Sequence, residues 1–459
     1  MARSGKWAGA AILAGAVARL LFLGSKSVWF DEASTMLLAG RPLPELAGLL
    51  VRNEVNPPFY YALMHVWLKA FADPKHGLRL FSALCGIGSL FAFRDLAARL
   101  LPERARGTAL WLAAASSFWI HVAQDGRAYS LLLLISLGST LAALELSERP
   151  RARLWAGYAI LAAAGLWTHY YYAILLAGHA AWLARSKDRR GWLLAHAAAA
   201  LAFAPWLPFL AAQARAHAGD AVLGEALTPL RVLDLLGTTF FDVTFLGLAL
   251  PAWTGVAVGA GFLAAAVSAA RSGEKKAVNF CAAHILAGLA VVLAVELWSG
   301  RPVTQARYFT PLSPAVILLA ALGVCSGWKR IAAGTVAAAG VAGYFFSALM
   351  VDPRLDLLAA SIRRSSDATI PVVHLGKYYY LPLRVYYLPE RRNVLIASEA
   401  KGMDFSGMPP YSGVIKPEQL PTLGPCVVVD ESRTLSPDRV RLGTGAQLAA
   451  LLGSGTQIR

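Results

Sequence analysis

PPFYYALMHVWLKAFA, residues 57–72, decides how this chain is threaded. The stretch is apolar enough to enter a bilayer, yet at about 1.5 Å per residue it reaches only about 24 Å, short of the ~30 Å of hydrocarbon. Eleven other apolar runs surround it, at roughly 7–24, 78–98, 107–122, 128–147, 154–168, 170–184, 192–211, 250–270, 277–298, 308–327 and 331–350. If 57–72 does not cross and the N-terminus is cytoplasmic, the basic turns RLLPERARG (99–107), ERPRAR (148–153), RSKDRRG (185–191), RSGEKK (271–276) and WKR (328–330) all fall on the cytoplasmic side. The positive-inside rule demands that placement. If 57–72 crosses, all of them fall outside. The parity therefore predicts eleven spans, a helix at 57–72 lying in the outer interface, a cytoplasmic N-terminus and an extracytoplasmic C-terminus.

Composition agrees with this threading. With 57% hydrophobic and 15% charged residues, the chain lacks the polar surface of a soluble protein. A net charge of +16 on one soluble face would suggest nucleic acid, but basic residues spread in short clusters between apolar runs read as orientation, so no nucleic-acid partner is expected. Cys85, Cys281 and Cys325 lie inside apolar runs and Cys426 begins a strand-like segment, a spacing that suggests neither metal nor disulfides. The first run has no A-x-A-like cleavage site after it and reads as a retained helix. There is no clear repeat and no Walker or dinucleotide glycine loop.

The threading gathers the unusual polar residues outside. A long first loop (25–77) carries Asp31 and Glu32, and AQDGRAY (123–129), THYYY (168–172), 212–249 and SGRPVTQARY (299–308) share its face. Beyond Met350, IPVVHL (370–375), NVLIAS (393–398) and CVVVDE (426–431) read as short strands among turns. The expected fold is an all-α polytopic membrane domain over 1–350 with a small extracytoplasmic α/β domain over 351–459.

Several side chains on the outer face are candidates for chemistry. Asp31 would cap a short interfacial helix, but burying two successive carboxylates near the bilayer is costly and points to use. The helix within 57–72 starts well at Asn56-Pro57, and it would roof a cavity with Tyr60, Tyr61 and His65. Asp125 and Arg127 sit in a tight D-G turn followed by Tyr129, adding a second carboxylate and a cation. Arg79 and Arg307, the latter beside Tyr308, open the second and tenth spans on the outer side, where orientation needs no positive charge. Their planar forks would suit a phosphate at headgroup depth. His169 reads either as part of an aromatic belt or as cavity wall. Asp31 and Asp125 together could attract Mg²⁺ or Mn²⁺, although two ligands do not make a site. Arg19, inside the first span, needs a partner, a wet pocket or an outward reach.

The stretches WFDEAST (29–35), NPPFYYALMHVW (56–67), GLRLFSAL (77–84), AQDGRAYSLLLL (123–134), THYYYAILL (168–176) and RYFTPLSPA (307–315), in this order, resemble the GT-C-fold glycosyltransferases that use polyprenyl-phosphate-linked sugars. Within these the chain is most similar to bacterial glycosyltransferase family 39, akin to protein O-mannosyltransferases and aminoarabinose transferases. The resemblance covers the first 185 residues and the tenth span, with two departures: Asn56 stands where the family often has His, and Asp125 where it often has Glu. It implies that Asp31 activates the acceptor, with Glu32 a second candidate, that Asp125 places the acceptor or a divalent ion, and that Arg79, Arg127 and Arg307 hold the donor phosphate. It implies an inverting transferase of the bacterial inner membrane, moving sugar from a polyprenyl phosphate to a glycan, lipid or protein outside the cytoplasm. The alternative is a transporter or flippase for lipid-linked glycans, which would place its polar residues near the midplane, within inverted repeats.

Overall fold

The computed structural model describes residues 2–184, 188–216, 225–242, 253–325, 327–350, 352–396, 414–430 and 440–453. Its helices run α1 (Ala2–Leu20), α2 (Phe30–Ala39), α3 (Leu43–Asn53), α4 (Phe59–Trp67), α5 (Pro74–Leu100), α6 (Glu103–Ala114), α7 (Ser117–Gln124), α8 (Tyr129–Glu148), α9 (Ala152–Thr168), α10 (Tyr172–Leu183), α11 (Arg189–Phe203), α12 (Leu207–Ala216), α13 (Pro229–Thr238), α14 (Trp253–Ala270), α15 (Lys275–Ser299), α16 (Ser313–Val324) and α17 (Gly327–Met350). Among the described residues six helical segments are long and apolar enough to cross a membrane, namely α5, α8, α11 with α12, α14, α15, and α16 with the 3₁₀ turn before it. Trp7–Leu20 and α10 are shorter apolar helices. Ile160, Leu201 and Ile331, on three of the apolar helices, are each at least 70% exposed, as suits side chains that face hydrocarbon. Helix α4 has nine residues and, at about 14 Å, cannot cross.

One expected span is broken. The run 107–122 divides into α6 and α7 at Ala115–Ser116, where Ser116 accepts from Trp119 N–H as the cap of α7. Breaking a helix inside a bilayer strands its last carbonyls, and Arg19 receives them. Its guanidinium, fully buried, donates to Ala113 O and Ala114 O at 3.3 Å and to Gly15 O at 2.9 Å. Gln124, at the end of α7, returns the contact by donating to Ala18 O and Arg19 O at the end of α1 and to Leu21 O just past it. Helices α13 and α14 touch backbone to backbone: a Cβ at Gly259 would lie 1.8 Å from Leu233 O, and one at Gly237 2.0 Å from Gly255 O.

After α17 come α18 (Leu355–Ser365), β1 (Val372–His374), α19 (Lys377–Pro382), which runs into a π turn at Leu383–Tyr387, β2 (Asn393–Ile396), β3 (Val414–Ile415), β4 (Pro425–Val429), β5 (Val440–Thr444) and α20 (Gly445–Gly453). The sheet order is β3-β2-β1-β4-β5, parallel except for β5 against β4. Val373 pairs with Val394 on one side and Val428 on the other. The near-continuous apolar strands suit a parallel sheet covered on both faces. Residues 397, 398 and 431 of the expected strands lie outside the described residues.

This α/β unit grips the loop between α1 and α2. Val372, Leu395 and Val427 share one apolar cluster with Val28, Met36, Tyr61 and Leu78. Val28 N–H donates to the Tyr387 hydroxyl at 2.9 Å, and Ser27 donates through N–H and Oγ to Asp352 at 2.8 Å each.

Candidate active site

Successive residues on a helix diverge by about 100°, so Asp31 and Glu32, both in the first turn of α2, cannot face the same way. Neither side chain caps the helix. Glu32 turns into the protein and is 1% exposed. Its Oε1 accepts from Arg79 Nε at 2.8 Å and from Gly126 N–H at 2.9 Å, and its Oε2 from Arg79 Nη2 at 2.7 Å. Burial alone would raise the Glu32 carboxyl; the Arg79 guanidinium and the Gly126 N–H reverse this and hold it below the usual carboxylate range. Arg79 directs its remaining donors to Leu23 O, Lys26 O and Ser27 O at 2.9–3.1 Å. All five N–H groups of that guanidinium are thereby used, which corrects two expectations. Arg79 has no donor left for a phosphate, and Glu32 has no free oxygen positioned to take a proton. The pair instead braces α2, α5, the 23–27 loop and the 125–128 turn.

Asp31 faces the other way, with 21% of its side chain exposed. Its Oδ2 lies 3.1 Å from Arg307 Nη1 and 3.9 Å from Arg127 Nε. Arg127 is itself fixed: Nη1 lies 3.1 Å from Glu54 Oε2, 3.2 Å from the Tyr61 hydroxyl and 3.0 Å from Thr35 Oγ1. Burial would raise the Glu54 carboxyl, but Arg127 and Tyr61 hold it below its ordinary value. Arg307 is braced by Gln305 Oε1 at 2.9 Å and sits 5.7–5.8 Å from the rings of Trp29, Tyr129 and Tyr308, an aromatic collar that attracts a guanidinium. Glu54 is a site residue beyond those expected from sequence; its only signal in EVNPP is its place just ahead of the Asn56-Pro57 helix start.

The other expected residues divide. Tyr60 is buried and, among the described residues, its hydroxyl meets no partner, whereas His65 is half-buried and its Nδ1 meets Ala39 O at 2.8 Å, joining α4 to the end of α2 instead of facing the hollow. Asp125 is 6% exposed and its Oδ1 accepts from Trp29 Nε1 at 2.8 Å. Asp31 and Asp125 thus have separate partners, and among the described residues no three His, Cys, Asp or Glu side chains gather as a metal site. The donor set does not fit the divalent ion considered from sequence. His169, 3% exposed, packs 5.4 Å from the rings of both Tyr129 and Tyr308.

Asp125 lies in the turn between α7 and α8, and burial together with the charge of Glu32 pushes its carboxyl from 3.8 up to about 6. A carboxyl raised in the folded state stabilises it at low pH, and that contribution is lost as pH rises through about 6. Glu32 and Glu54, held low, act oppositely and lose their contribution as pH falls below the ordinary glutamate range. Acidifying the purified protein from pH 7.5 to 5.5 is expected to raise its melting temperature by about 1 °C, and Asp125→Asn to abolish the rise. A rise of the same size in the variant would assign the effect elsewhere.

Residues 55–211 match the family model described as dolichyl-phosphate-mannose-protein mannosyltransferase. No curated protein matches the chain in sequence. Among solved structures, the chain is similar to ArnT from Cupriavidus metallidurans in the apo state, at a TM-score of 0.64 and 13% identity over 99% of this chain and 95% of that one. The same protein bound to undecaprenyl phosphate matches at a TM-score of 0.59 and 14% identity, covering 98% and 94%. The archaeal oligosaccharyltransferase AglB from Archaeoglobus fulgidus, in complex with an inhibitory peptide and a dolichol-phosphate, matches at 0.50 and 12% identity over 86% of this chain and 65% of that one. From its first helix to its terminal sheet, this chain is a polytopic membrane protein with the GT-C fold.

Proposed function

We propose that this protein is an integral-membrane inverting glycosyltransferase of the bacterial cytoplasmic membrane. It moves a sugar from a polyprenyl phosphate to an acceptor hydroxyl on the extracytoplasmic face. One observation carries the reading: of the four carboxylates grouped at the outer ends of the helices, Asp31 alone is partly open, and it stands between two fixed guanidinium groups. The fold and the lipid phosphates bound by ArnT and AglB support the donor class.

The chemistry needs one base. A lipid phosphate departs as an anion, without the protonation that a leaving alcohol requires, provided that cations stabilise it. Arg307, and behind it Arg127, supply that charge. When the phosphate takes Arg307, the carboxylate of Asp31 loses a partner and becomes free to accept the acceptor's proton as its oxygen attacks the anomeric carbon in line. Residues 1–350 form the catalytic domain in this scheme, and 351–459 bound the acceptor side. The acceptor is a glycan, lipid or protein of the envelope.

The test is an assay of purified protein with a panel of radiolabelled polyprenyl-phosphate sugars, following both transferred sugar and free polyprenyl phosphate. Lipid-linked sugar moved across a vesicle membrane with no polyprenyl phosphate released would identify a flippase instead. Orientation is tested by cysteine labelling with an impermeant maleimide. Ala368→Cys is expected to react in intact spheroplasts and Arg151→Cys only after lysis; the opposite pattern would invert the topology.

A further inference from the structure

His169 ends α9, and its ring closes the upper wall of a cavity of about 370 Å³ between α10, α12 and α15. The cavity has two characters. Ile174, Val292 and Val295 give it apolar wall, and His169, Tyr308 and Arg301 give it polar and charged wall. An anionic head on an apolar tail matches that polarity. The ring's protonation can be assigned. Nδ1 accepts from Tyr171 N–H at 3.2 Å, so in the neutral ring the proton is on Nε2. That Nε2–H is buried and, among the described residues, meets no acceptor. A buried donor left unpaired is unfavourable, and it is the kind of group that a ligand satisfies.

We propose that His169 is a positioning residue for the donor lipid, its Nε2–H donating to a phosphate oxygen while the first isoprene units lie against Ile174, Val292 and Val295. The inference rests on the transferase reading and adds to it a neutral donor beside the charged Arg307. Burial, with Arg127 and Arg307 nearby, pushes the imidazole down to about 3, so the ring donates as a neutral group throughout the working range. A neutral N–H orients the phosphate without competing with Arg307 for its charge.

The experiment measures polyprenyl phosphate and polyprenol binding to the purified full chain by tryptophan fluorescence, for wild type, His169→Phe and His169→Gln. His169→Phe keeps a ring among the tyrosines but loses the N–H; its Kd for polyprenyl phosphate is expected to rise about tenfold, equally at pH 5.5 and 7.5, with polyprenol binding unchanged. His169→Gln, whose amide can reach the same point, is expected to restore binding to within about threefold. Wild-type affinity in His169→Phe, or equal weakening toward polyprenol, would overturn the inference while leaving the transferase reading to stand on Asp31. Failure of the wild-type protein to bind polyprenyl phosphate would overturn both.

Discussion

Asp31→Asn is expected to lower turnover of the lipid-linked sugar by about 10²–10⁴-fold, the range for losing a positioned general base, while the protein folds and melts as before. Asparagine keeps an oxygen for Arg307, so the local contacts survive and only the capacity to take a proton disappears. KM for the donor should change little, because the phosphate's cations remain. Steady-state rates from detergent-purified protein check this directly. Turnover within threefold of wild type would remove Asp31 as the base.

The second large effect falls on stability. Arg79→Met leaves the Glu32 carboxylate, 1% exposed, without its cation and strands Leu23 O, Lys26 O and Ser27 O. Removing one partner of a buried pair costs about 3–5 kcal/mol, enough to leave little folded protein. Glu32→Gln is expected to fall in the same direction, by loss of yield and melting temperature rather than of kcat per folded molecule. The double variant Glu32→Gln with Arg79→Met should be less damaging than the sum of the two. If Glu32→Gln folds normally and loses only kcat, then Glu32, not Asp31, takes the proton. Thermal melts and rates per active protein separate the two cases.

Much of this was legible in the sequence, for physical reasons that also explain what was not. Hydrocarbon imposes long apolar runs, so the apolar helices, and the stretch at 57–72 that is too short to cross, could be read from length. The break at Ser116 was hidden because hydropathy averages over it, although two serines in an apolar run and the unexplained Arg19 were its two halves. Adjacency misled the reading of the carboxylates. Neighbours in sequence suggest neighbours in space, but on α2 they are turned apart, and Arg79 pairs with Glu32 across 47 residues. The aromatic collar of Arg307 could be inferred residue by residue from WFD, RAY and RYF, but not its convergence, since that depends on how α2, α8 and the turn before α16 meet.

The grip of the sheet domain on Ser27 and Val28 has a consequence for inheritance. Those residues stand just ahead of α2, so Asp31, the proposed base, is aimed partly by groups more than three hundred positions downstream. A chimera that borrows a terminal domain from another transferase in order to change what is glycosylated must bring the matching segment ahead of α2 with it. Otherwise the transplanted half would disturb the chemistry it was meant to redirect.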